Sequence, residues 1–172
     1  MWPFKKRIKV ESSSEKLIPI GPVVLTEEER QEVNESFDKF ISLSETGELY
    51  VPKEWKDSFE RNLAGRALHD RAYRLYLYSL YNDNISKKER GQLIEKALSA
   101  SAKAYGLTGL PIYLYDLACL FHVQGNIKKV LIFFREFLRL QKSFKPSPPE
   151  ELVLSERDIE GAIRDAEKRS RF

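Results

Sequence analysis

The segment PIYLYDLACLFHVQGNIKKVLIFFREFLRLQ, residues 111 to 141, limits what the chain can fold into more than any other. Residues 111 to 124 have helical length, open on Pro111 and contain only three strongly polar side chains, Asp116, His122 and Gln124. A helix that is apolar almost all round has to be covered on several sides. At 14 residues it falls short of the ~20 needed to cross a bilayer, so the cover must be protein. Gly125 and Asn126 form a tight turn, and residues 127 to 143 continue as a second helix.

The rest of the chain supplies the neighbours. Thr26 and Glu29 have capping-box spacing, Glu27 to Glu29 suit the positive end of a helix, and Val33, Phe37, Phe40 and Ile41 recur on one face, which predicts a helix over 27–43. Pro52 opens a second helix in which Trp55, Phe59 and Leu63 fall four apart; it runs to about Tyr81, with a break or kink expected at Gly65. Ser86 and Glu89 repeat the capping box. Behind them a stripe of mostly small residues, Leu93, Ile94, Ala97, Leu98, Ser101 and Ala104, ends at Gly106 and invites a close neighbour. Ser155 and Asp158 cap a C-terminal helix with Ile159, Ala162, Ile163 and Ala166 on one side. Only the weak Trp2, Phe4, Ile8, Val10 pattern alternates like a strand, so the expected class is all-α.

Residues 111 to 142 resemble one tetratricopeptide repeat (TPR), whose spacing W-x2-L-G-x2-Y followed by A-x3-F marks two antiparallel helices. Leu114, Leu117, Ala118 and Phe121 stand at the first places, Gly125 at the turn, and Val130, Phe134 and Phe137 at the second-helix places. The sequence departs from the pattern at Val130 and Phe137, where small residues are usual, and at Lys142, where proline is common. The resemblance covers about a fifth of the chain and implies antiparallel helix pairs in a TPR-like right-handed array. Stacks of this type need at least three units, so flanking helices stand in for the missing ones. The expected division is an extended or mobile arm over 1–25, a helical domain over 26–145, and a Pro-rich linker with a capping helix over 146–172.

The resemblance also implies a groove. The stripe Ile112, Tyr115, Cys119, His122 and Val123 corresponds to the surface that lines the concave side in such proteins. Either a peptide sits there or the chain covers itself. The stripe lacks the Lys, Arg and Asn clamp by which some members of the family hold a peptide carboxylate.

The chemistry-bearing residues are sparse. Cys119, the only cysteine, and His122 could face one side, but a thiolate nucleophile needs an orienting group and an oxyanion site. Apolar surroundings raise a thiol's pKa, and the reading is a packed helix wall. With two histidines and one cysteine no spaced metal motif exists, His69–Asp70 lacks the further histidines of a metal phosphohydrolase, and no cofactor motif occurs. Glu27 to Glu29 read as a solvated helix start. Tyr73, Tyr76, Tyr78 and Tyr81 beside Arg71 and Arg74 could stack single-stranded bases, although core packing with the hydroxyls outward is simpler.

Charge sharpens the choice. The net charge of +3 resides in residues 1 to 25, with five basic groups against two acids, and the remainder balances at 24 against 24. A nucleic-acid partner is therefore not favoured. One cysteine excludes an internal disulfide and suits the cytoplasm. The arm's apolar run is broken by Pro19 and Pro22, unlike a secretory signal. The expected function is a non-enzymatic adaptor or scaffold binding another protein or peptide, and a homo-oligomer is compatible with it. The alternative is a peripheral membrane-associated factor. Its arm, Trp2, Phe4, Lys5, Lys6 and Arg7, combines aromatic anchors with a basic cluster and gives weak membrane-surface contact.

Overall fold

Helix-starting and helix-ending chemistry divides the chain almost where the residue pattern places the divisions. The computed structural model describes residues 23–48 and 56–143, together with positions 161, 164, 165 and 168. It contains α1 (Glu27–Glu45), α2 (Lys56–Tyr81), α3 (Lys87–Thr108), α4 (Ile112–Val123) and α5 (Ile127–Ser143). Among the described residues there is no strand. The N-terminal arm, Pro52, Trp55 and the proposed cap at Ser155 lie outside them.

Both capping boxes form. The Glu29 amide donates to Thr26 Oγ1 at 3.2 Å and the Thr26 amide to Glu29 Oε2 at 2.9 Å. Ser86 and Glu89 repeat this at 3.2 and 2.7 Å. Each box satisfies two amides that a helix start leaves without internal partners. Gly125, with φ of 75°, turns α4 into α5, and Asn126 Oδ1 accepts from the Lys129 amide at 3.2 Å.

Two expectations about glycines change. α2 runs unbroken through Gly65, which is buried against α3; the missing side chain serves close approach, since a Cβ there would lie 2.4 Å from Thr108 Cγ2. α3 likewise continues past Gly106 to Thr108 and stops at Gly109, whose φ of 66° is left-handed. The stripe of small residues on α3 is deeply buried: Ala97, Ala100, Ser101 and Ala104 have no exposed surface.

The helices contact one another in chain order, α1 on α2, α2 on α3, α3 on α4 and α4 on α5, with α2 and α3 sharing the most extensive interface. The larger apolar cluster joins Ile94 and Leu98 of α3 to Leu114, Leu117 and Phe121 of α4 and to Val130, Phe134 and Phe137 of α5. Phe121 stacks on Phe133 with ring centres 5.3 Å apart, a geometry worth about 0.5–1.5 kcal/mol beyond burial itself. A smaller cluster, Val33, Ala64, Ala67, Leu68, Ala104 and Tyr113, holds α1 near the start of α4.

The acidic start of α1 is less solvated than its residue types suggest. Glu29 is buried and pairs with Lys103 Nζ at 2.5 Å, while Arg71 binds Glu28 at 2.6 Å and Glu32 at 2.5 Å, and Arg74 binds Glu32 at 2.7 Å. The helix dipole accounts for acids at this end. Cross-helix pairing decides which of them leave water.

Candidate functional site

Helical spacing puts His69, Tyr73 and Tyr76 on one side of α2, at i, i+4 and i+7. Tyr115, Asp116 and Cys119 face them from α4, with Ser101 of α3 between, around a pocket of about 240 Å³. The small residues Ala72 and Ser101 leave this space where two helices with bulky side chains would close it.

One polar bridge spans the pocket. His69 Nδ1 and Asp116 Oδ2 are 2.8 Å apart, and both side chains are about three-quarters buried. The hydrogen bond to Asp116 raises the His69 pKa above 6.5 against the opposing effect of burial; the nearby Asp116 and Asp70 charges add to the rise. The His69 ring also lies 5.6 Å from that of Tyr113. Tyr113 is pushed up to about 12, chiefly by burial.

The thiol in the same wall is passive. Burial, aided by the Asp116 charge, pushes Cys119 up to about 11, although a hydrogen bond with Tyr115 works in the other direction. It therefore carries its proton at neutral pH and is a weak nucleophile. Ser101 Oγ is fully buried and has no hydrogen-bond partner among the described residues.

The stripe marked out in the sequence is divided by its surroundings. Tyr115 and Cys119 line the pocket, and the Tyr115 ring rests 5.5 Å from Phe134 and 5.7 Å from Phe137. Ile112 packs instead on the smaller core cluster. His122 and Val123 are exposed at the far end of α4 and do not line the pocket. Trp2, Phe4, Lys5, Lys6 and Arg7 lie outside the described residues.

The tyrosine ladder on α2 stands further out than core packing would put it. Tyr73, Tyr78 and Tyr81 are 55, 54 and 79% exposed, and only Tyr76 is half-buried. His69, Tyr73, Tyr76 and Asp116 were the pocket residues that sequence reasoning did not assemble. Asp116 did carry a signal, as the one acid on a helix whose only other strongly polar residue is His122.

Among the described residues no group of three or more His, Cys, Asp or Glu is placed to hold a metal ion, and no helix is long and apolar enough to cross a membrane. Comparison with protein families, with curated proteins and with solved structures finds no match to the chain.

Proposed function

We propose that the chain is a non-enzymatic, TPR-like adaptor that holds another protein or peptide in the cleft between α2 and α4. The observation that carries this reading is the tyrosine wall: half-exposed Tyr73 at the mouth, Tyr76 and Tyr115 within, around about 240 Å³. That volume is below the roughly 300–1,000 Å³ typical of cofactor and drug-sized ligand sites and suits one inserted side chain. Tyrosine supplies apolar contact with a hydroxyl at its tip, which is why it recurs among the residues that dominate interfaces. The His69–Asp116 pair adds hydrogen-bonding capacity beside the apolar wall. A protonated Cys119 fits a lining role. The single thiol suits the cytoplasm, where it stays reduced.

The test is affinity purification of the tagged full chain from its native cells, comparing wild type with Tyr73→Ala in the cleft and Tyr81→Ala outside it. The adaptor reading expects a protein that co-purifies with wild type and Tyr81→Ala and is lost with Tyr73→Ala. Identical bound proteins for all three forms would overturn it.

A further inference from the structure

Ser101 departs from what the other helical hydroxyls do. Ser36, Ser79 and Thr108 each donate to a carbonyl of their own helix, at 2.9, 2.7 and 2.8 Å. That back-bond is a common way for a serine or threonine inside a helix to satisfy its hydroxyl. Ser101 Oγ makes none and finds no other partner among the described residues, although the residue has no exposed surface. A buried polar group left unpaired is destabilising, and a partner supplied from outside would relieve it. Ser101 stands on α3 between the walls that α2 and α4 give the pocket, so such a partner would enter through the cleft.

The rest of the lining narrows what that partner is. Tyr73, Tyr76 and Tyr115 offer aromatic surface, and Ala72 and Leu120 offer apolar surface. Aromatic walls favour a ring, which packs offset or edge-on against them. A volume of about 240 Å³ admits one ring-sized group rather than a longer ligand. Charge selects against an ion. His69 and Asp116 are the lining residues that carry opposite charges, and they answer each other at 2.8 Å, while Cys119 keeps its proton. An entering carboxylate would meet Asp116, an entering ammonium would meet protonated His69, and a buried ion without a counter-charge is disfavoured. A neutral hydroxyl both donates and accepts, so it pairs with Ser101 in either sense.

We propose that the group the cleft accepts is an uncharged phenol, the side chain of a tyrosine on the partner protein, packed against Tyr76 and Tyr115 with its hydroxyl paired to Ser101 Oγ. This names the inserted side chain of the adaptor reading and rests on that reading. Ser101 is closed off from water at rest, so the ring reaches it as the lining shifts; Tyr73, 55% exposed at the mouth, has room to turn outward. A phenylalanine would fill the same walls but leave Ser101 unpaired, and the pocket should tell the two apart.

The test follows the amide resonances of the isotope-labelled full-length protein by NMR while p-cresol, toluene, n-butylamine or propionate is added, these being the side chains of tyrosine, phenylalanine, lysine and glutamate. At neutral pH p-cresol should shift the amides of Tyr76, Ser101 and Cys119 and bind about three- to tenfold more tightly than toluene, the margin that one neutral hydrogen bond gives. The two ions should not bind. Ser101→Ala removes the hydroxyl and introduces the better helix former, so the fold should persist while p-cresol loses its advantage over toluene. p-Cresol should also release the protein that co-purifies with wild type. An affinity for p-cresol no greater than for toluene, absence of binding included, overturns the proposal, as does an advantage that survives Ser101→Ala or tighter binding of either ion. The two readings fail separately. If a protein is lost with Tyr73→Ala but p-cresol behaves like toluene, the adaptor stands and the tyrosine does not. If p-cresol binds through Ser101 but no protein depends on Tyr73, the adaptor reading falls, and the pocket takes a free phenol in place of a partner's tyrosine.

Discussion

Gly65→Ala tests how closely α2 and α3 are required to approach. In an exposed helix the change stabilises by about 1 kcal/mol, because glycine is the more costly residue to order. Here the new Cβ would sit 2.4 Å from Thr108 Cγ2, against about 3.5–4.0 Å for carbon atoms in contact. The methyl cannot turn away freely. Thr108 Oγ1 donates to the Ala104 carbonyl at 2.8 Å and accepts from the Leu110 amide at 3.1 Å, so rotating χ1 gives up two hydrogen bonds worth about 1 kcal/mol each. The other escape is to part the helices, an overpacking strain of about 1–3 kcal/mol. Subtracting the helix-propensity gain of about 1 kcal/mol leaves a net destabilisation of up to about 2 kcal/mol, in place of the gain expected in an exposed helix. Thr108→Ser alone removes one methyl and should cost up to about 0.8 kcal/mol. Combined, the serine keeps its hydroxyl and the alanine Cβ occupies the vacated space, which brings the double variant back to within about 0.5 kcal/mol of wild type. Urea unfolding followed by far-ultraviolet circular dichroism measures all four corners of this cycle. A Gly65→Ala protein more stable than wild type by about 1 kcal/mol, as in an exposed helix, or a double variant as unstable as the two single changes added together, would refute the argument.

Four further outcomes are expected. His69 has a raised pKa in the folded protein, so its contribution to stability is complete below pH 6.5 and is lost as pH rises through the folded value; unfolding free energy should fall across that window, and Asp116→Asn should flatten the fall. Glu29→Ala leaves Lys103 part-buried without its partner and removes one half of a capping box, so it should cost about 3–5 kcal/mol in the same unfolding assay. Cys119 should react slowly with iodoacetamide at neutral pH in the native protein and quickly in urea, whereas fast native labelling would contradict the raised thiol pKa. If the arm contacts membranes, full-length protein should float with anionic liposomes at low salt, and changing Lys5, Lys6 and Arg7 to Glu should abolish flotation.

Local chemistry carried most of the architecture. Thr26 and Ser86 announce helix starts because the partners of each cap lie three residues away, and Gly125 announces a turn because few other residues adopt its φ. Gly65 and Gly106 misled for a complementary reason. A glycine inside a helix can mark a break or make room for a neighbour, and only the neighbour distinguishes the two: Thr108 stands against the first and Val23 against the second. The cleft was legible in fragments. Tyr115 and Cys119 belong to one helical face, but His69 meets Asp116 across 47 residues of sequence, and no periodicity within one helix encodes that meeting. The division of the α4 stripe had the same cause, since α2, α3 and α5 cover its middle while His122 and Val123 stay exposed.

The attachment of α1 differs in kind from the packing that joins α4 to α5. Val33 is its one fully buried apolar side chain, and among the described residues much of its grip comes from Glu28, Glu29 and Glu32 held by Arg71, Arg74 and Lys103. The seam between α4 and α5, by contrast, is made of apolar side chains, Leu114, Leu117 and Phe121 against Val130, Phe134 and Phe137, whose contacts offer no charge for salt to screen. Native-state hydrogen exchange should therefore resolve two cooperative units. The amides of α1 should exchange through a partial opening that salt promotes, while those of α4 and α5 wait for the whole molecule to unfold. A protein built this way can let go of its first helix without surrendering its core.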